Sequence, residues 1–186
     1  MKIILALLFV IFEINSAAQH KEFKPDTSIS GIKLQDSISI RSIIPDFIKK
    51  IDYTGTGAKI TLVNKHKTEI ATLIFHSGSN ADLIAEINLS SFIDSLYNMD
   101  KTINVNIDYF TTESKIKLGI SKAKLIQIKG QALSIENYDE TEILKYRIDN
   151  YKTSAFLMRY NYPTYYSIYQ FKRNKLEHVS FGFEYP

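Results

Sequence analysis

The stretch that decides the fold runs Tyr146-Arg-Ile-Asp-Asn-Tyr151, Ser154-Ala-Phe-Leu-Met-Arg-Tyr160, Thr164-Tyr-Tyr-Ser-Ile-Tyr-Gln-Phe171 and Leu176-Glu-His-Val-Ser-Phe-Gly-Phe-Glu-Tyr-Pro186. Aromatic and β-branched residues fill these runs. Turn formers separate them at Asp149-Asn150, Asn161-Tyr162-Pro163 and Lys172-Arg173-Asn174. That pattern predicts consecutive antiparallel strands joined by short loops. Alternation along Thr164–Phe171 puts Tyr165, Ser167, Tyr169 and Phe171 on one face. Tyr166, Ile168 and Gln170 fall on the other. In the last run Val179, Phe181 and Phe183 oppose His178 and Ser180.

Working upstream, the rest of the chain reads as a fainter copy of this unit. Ser37 is a candidate N-cap, followed by apolar residues at Ile40, Ile43, Ile44, Phe47, Ile48 and Ile51. Spacings of three and four place them on one helical stripe, with a kink or break expected at Pro45. Strands are predicted over residues 58–64, 69–76, 82–89 and 102–110, and a short helix over 92–99. A second helix is expected after Ser121, with Leu125 and Ile126 inward and Gly130 as its stop. Ile116-Lys-Leu-Gly-Ile-Ser121 repeats Ile32-Lys-Leu-Gln-Asp-Ser37 at an offset of 84 residues, and Ala71 and Leu73 then align with Ala155 and Leu157. The expected class is α+β: two tandem units, each a helix or helix-loop-helix packed on antiparallel sheet.

The chain opens Met1-Lys2, continues apolar from Ile3 to Phe12, and reaches small residues at Ser16-Ala17-Ala18. That is the layout of a secretory signal peptide, and its apolar run is too short to anchor in a bilayer. The expected organisation is a signal over 1–18, a flexible leader over 19–30, a first α+β repeat over 31–100 and a second over 101–186. The expected location is periplasmic or secreted. There is no cysteine. Disulfides and thiolate metal sites are therefore excluded, and stability must come from apolar burial. A net charge of +3, dispersed along the chain, argues against a nucleic-acid partner.

Ile32-x-Leu34-x-x-Ser37 and Ile116-x-Leu118-x-x-Ser121, each opening a helix before antiparallel strands, resemble the β-lactamase-inhibitor-protein-like fold. They also resemble small outer-membrane-assembly lipoproteins. The resemblance implies tandem helix-loop-helix units on four-stranded sheets that present a concave aromatic surface to a partner protein. This chain lacks the inhibitors' disulfides and the lipoproteins' acylated cysteine, and none of the inhibitors' contact residues can be placed on it. What carries over is therefore architecture.

No catalytic pattern stands out. His20, His66, His76 and His178 form no metal-spaced pair, and there is no Gly-x-Ser-x-Gly elbow. Gly55-Thr-Gly-Ala-Lys59 lacks the second half of a phosphate loop and reads as a hairpin turn. Asp139, Glu140 and Glu142 read as an acidic loop. Asn88-Leu-Ser90, Asp36-Ser-Ile38 and Asp94-Ser-Leu96 match short glycosylation triplets. Neither a cofactor nor a catalytic residue is expected. The strongest feature is the tyrosine cluster around Pro163, because tyrosine and arginine are enriched in interfaces. Arg159, Tyr160, Tyr162, Tyr165, Tyr166 and Tyr169 are the candidate binding residues. The expected function is non-catalytic binding of another exported or envelope protein, in concrete form as an inhibitor or immunity protein. An envelope-assembly component and a carbohydrate-binding protein or small hydrolase are the alternatives.

Overall fold

The computed structural model describes residues 23–53, 57–77, 81–92 and 101–184. The elements in chain order are β1 (Ser28–Ile29), β2 (Ile32–Lys33), α1 (Ser37–Arg41), a 3-10 turn (Phe47–Lys50), β3 (Lys59–Val63), β4 (Glu69–Phe75) and β5 (Ile84–Ser91). Then come β6 (Thr102–Asn104), α2 (Lys122–Lys129), β7 (Ser134–Tyr138), β8 (Thr141–Ile148), α3 (Ala155–Tyr160), β9 (Thr164–Lys172) and β10 (Lys175–Glu184). The expected signal peptide and the helix expected over 92–99 lie largely or wholly outside the described residues.

Eight of the strands form one sheet in the order β6-β3-β4-β5-β10-β9-β8-β7. Every pairing is antiparallel except β3 with β6. The register aligns one row across all eight strands: Ile103, Leu62, Ala71, Leu89, Val179, Tyr169, Leu144 and Ile135. From Ile103 to Leu144 that row packs in or against the core, while Ile135 on the edge strand is 47 % exposed. Ile40 of α1, Phe47, Leu125 of α2, Leu157 of α3, and Ile29 and Ile32 of the β1–β2 hairpin join the same buried cluster. The neighbouring row, on the opposite face, reads Thr102, Thr61, Thr72, Asn88, Ser180, Ile168, Lys145 and Ser134. The period-two alternation of the strands thus gives an apolar covered side and a polar outer side.

This corrects the expected α+β class. The protein is mostly β, with three short helices and one large mixed sheet, in place of two helix-on-sheet units. The first helix stops after five residues. Its N-cap is Asp36, whose carboxylate accepts from Ile38 N (2.8 Å) and Ser39 N (3.4 Å), so Ser37 is already helical. Pro45 then prevents continuation, and Phe47–Lys50 forms only a 3-10 turn. Strand 102–110 is cut to three residues. Beyond it, side chains hold the backbone: Asn64 Nδ2 donates to Asp108 O (2.7 Å), and the Glu69 carboxylate accepts from Phe110 N (2.7 Å). Residues 155–160, expected as strand, form a helix. Ser154 Oγ accepts from Leu157 N at its start, and Asn161 (φ 58°) ends it in the left-handed region. Ala71 and Leu73 therefore lie on a strand, while their sequence counterparts Ala155 and Leu157 lie on a helix. The second predicted helix is present as α2, with Ser121 as cap and Gly130 as stop.

The segment expected as leader enters the fold at Phe23. Asp26 is fully buried, and its carboxylate lies 2.7 Å from Lys129 Nζ at the end of α2. Lys129 also donates to Lys24 O (2.6 Å) and Ser114 Oγ (3.2 Å) and lies over the Phe23 ring. Tyr165 donates its hydroxyl to Asp26 O (2.6 Å). Desolvation pushes the Lys129 ammonium below its ordinary value, against the pull of Asp26.

Candidate binding face

The six candidate residues separate into three places. Tyr165 and Tyr169 point inward from β9 and are 0 % exposed, so as contact residues they are corrected: they are core, out of reach of any partner. Burial pushes both phenols well above their usual range. Tyr160 and Tyr162 form a half-buried seam beside α3, with rings 4.9 and 4.7 Å from Phe183. Arg159 is exposed on α3. Only Tyr166 projects to the outer face of the sheet, where its strand alternation put it.

The seam is a closed polar cluster. Gln35 Nε2 donates to Ile84 O (3.1 Å), which fixes the amide. Tyr162 donates its hydroxyl to Gln35 Oε1 (2.9 Å), and the second N–H of Gln35 faces His76 Nε2 at 2.6 Å. The Tyr162 hydroxyl also lies 2.9 Å from His76 Nε2. The His76 ring is 5 % exposed and stacks on Tyr162, and desolvation lowers its pKa from 6.5.

The outer face carries a different arrangement. A trough of about 710 Å³ crosses it from β5 to β7. Its base includes Tyr166 and Ile168 of β9 and Ser180 of β10. One register row contributes Glu86, Gly182, Tyr166 and Arg147; the next contributes Asn88, Ser180, Ile168 and Lys145. Gly182 sets the spacing at the β5–β10 seam. A Cβ there would stand 2.6 Å from Ala85 O and 2.9 Å from Glu86 Cα. Without it, β5 lies close to β10, and Glu86 Oε1 accepts from Ser180 Oγ (3.1 Å) and Asn88 Nδ2 (2.8 Å). Burial first, then the neighbouring Glu86 carboxylate, pushes the Tyr166 phenol far up. Toward the other end Lys145 Nζ holds Glu136 at 2.5 Å, and Arg147 forms a two-pronged pair with Glu184. Leu133, 70 % exposed, borders the β7 end.

Ser180 donates directly to a carboxylate, with no imidazole between them, so this is not the order that activates a serine nucleophile. Burial lowers the pKa of His178, on the same face, while Glu86 raises it. Among the described residues no group of three or more His, Cys, Asp or Glu is placed to hold a metal ion. Asn88, in one glycosylation triplet, is engaged by Glu86, whereas the Asp94-Ser95 triplet lies outside the described residues. No helix among the described residues is long and apolar enough to cross a membrane.

Sequence reasoning placed Tyr166, Ile168, His178 and Ser180 on one side of their strands. It missed Glu86, Gly182, Lys145 and Arg147, because nothing local announces that β5 pairs with β10. No family model, curated protein or solved structure matches this chain.

Proposed function

We propose that this is an exported, non-catalytic binding module whose outer sheet face engages another exported or envelope protein. Its concrete form is an inhibitor or immunity protein of a periplasmic or secreted enzyme. One observation supports the reading above the others. The inner face is filled by the protein's own helices and N-terminal arm, while the outer face keeps a trough with an aromatic and an aliphatic side chain at its base and ion pairs at its rim. Interfaces concentrate their energy in such apolar centres ringed by polar groups. Export rests on the basic, apolar and small-residue segments of residues 1–18.

The test is capture from an envelope extract with wild type and an Ile168→Asp/Tyr166→Ala variant shown by melting to be folded. Loss of a stoichiometric partner in the variant is expected. Identical recovery by both proteins sinks the outer face as the binding surface. A carbohydrate reading draws on the same phenol. It requires stabilisation by a glycan, about 2.7 kcal/mol at a hundredfold excess over Kd, and a flat thermal response across a glycan panel removes it.

A further inference from the structure

The geometry points to a specific occupant of the trough: a cationic side chain, lysine or arginine, presented by the partner protein and seated against Glu86. This rests on the binding reading above and narrows it. Five charged side chains line the trough: Glu86, Glu136, Glu184, Lys145 and Arg147. Glu136 is matched by Lys145, and Glu184 by Arg147, which Asp149 also flanks at 3.5 Å. Glu86 makes no salt bridge among the described residues; His178, on the same face, feels its charge, but burial holds that imidazole's pKa below its ordinary value. The hydrogen bonds of Glu86 come from the neutral groups of Ser180 and Asn88, which fix the carboxylate without cancelling its charge. Ser180 is 5 % exposed, so one of these anchors is itself a buried group.

The charge also sits in the right company. Tyr166 is the next-but-one neighbour of Glu86 across Gly182, where no side chain intervenes, and Ile168 follows along β9. An aliphatic stem lying on Ile168 and the phenol face would bring its cationic head to Glu86, so apolar contact and charge pairing are met together. Both positive groups of the trough are already occupied, the Lys145 ammonium by Glu136 of β7 and the Arg147 guanidinium by Glu184 of β10, which leaves Glu86 on β5 as the carboxylate open to a further cation. Over its five charges the trough carries one net negative charge, in a chain whose total is +3.

The probe is Nα-acetyl-arginine amide, with the neutral isostere Nα-acetyl-citrulline amide as control, titrated into the labelled protein and followed by amide chemical shifts. Saturable shifts on β5, β9 and β10 are expected, with a Kd of about 1 mM and at least about tenfold weaker binding of citrulline. Glu86→Gln, which keeps the shape and the acceptor for Ser180, should bring arginine down to the citrulline level. Equal responses to the two probes, or an unaltered affinity in Glu86→Gln, overturn the inference. The wider reading fails separately. Should a captured partner be lost with Ile168→Asp/Tyr166→Ala but retained in full by Glu86→Gln, the face binds without a cation.

Discussion

At the scale of single residues, the buried Asp26–Lys129 pair is costly to disturb. Both side chains are 0 % exposed, and each compensates the other's desolvation. Lys129→Met leaves the Asp26 carboxylate without its cation, and Asp26→Ala leaves a buried ammonium. Either should destabilise by about 3–5 kcal/mol, read by urea unfolding. The Asp26→Leu/Lys129→Met double variant should regain part of that loss. Recovery stays incomplete because Ser114 N, which donates to Asp26 Oδ1 at 2.9 Å, is then unpaired. Additive losses in the double variant would show that the two residues act separately. Gly182 is the second sensitive position. Gly182→Ala forces a methyl against the Ala85 carbonyl and should cost about 1–3 kcal/mol, with shifted resonances for Glu86 and Tyr166. A fully stable, spectrally unchanged variant would refute the close approach of β5 and β10.

At the scale of elements, α3 shows how caps and helix formers settle a segment that its aromatic residues make look like a strand. Phe156 and Tyr160 suit a strand, but Ala155, Leu157, Met158 and Arg159 are good helix formers, Ser154 caps the helix and Asn161 ends it. Ser154→Ala should therefore cost about 0.5–2 kcal/mol, while Ser154→Asp, also a good cap, should be close to neutral by thermal melting. Equal effects of the two would mean that packing alone holds the helix. The same contrast explains what was legible in the sequence. Strands β4, β5, β9 and β10 and helix α2 follow from alternation, caps and turn residues within a few positions. The β9–β10 hairpin was marked by Arg173-Asn174, both at positive φ (48° and 62°). The break expected at Pro45 is present; what the apolar stripe did not reveal is that the helix before it ends already at Arg41 and that only a 3-10 turn follows. Strand β7 was missed because Ser134, Glu136 and Asn137 carry little strand propensity; its pairing with β8 decides. Half of the binding face lay beyond reach because Glu86 meets Tyr166 only through a pairing of strands more than 80 positions apart in sequence.

At the scale of the whole molecule, acid should loosen the fold before it disturbs the surface ion pairs. Desolvation lowers the pKa of His76 and of His178 below 6.5. The unfolded chain then binds more protons than the native one between 6.5 and the lowered values. Stability is thus fully present above pH 6.5 and is lost as pH falls through the native pKa values. A lower Tm at about pH 5.5 than at about pH 7.5 is expected, with the difference reduced in His76→Gln. An undiminished difference would place the titration elsewhere. Glu69 works in the opposite sense: burial raises its pKa above 4.5, so its contribution is complete below 4.5 and declines as pH rises through the raised value.

The strand order has a consequence for synthesis. β10 comes last of all the strands, yet it lies in the middle of the sheet, between β5 and β9. A nascent polypeptide can assemble neither flank into its finished form until these ten residues emerge. Any product truncated before Lys175 would keep two raw apolar borders where the intact protein has a seam, and so would be a ready target for chaperones and proteases.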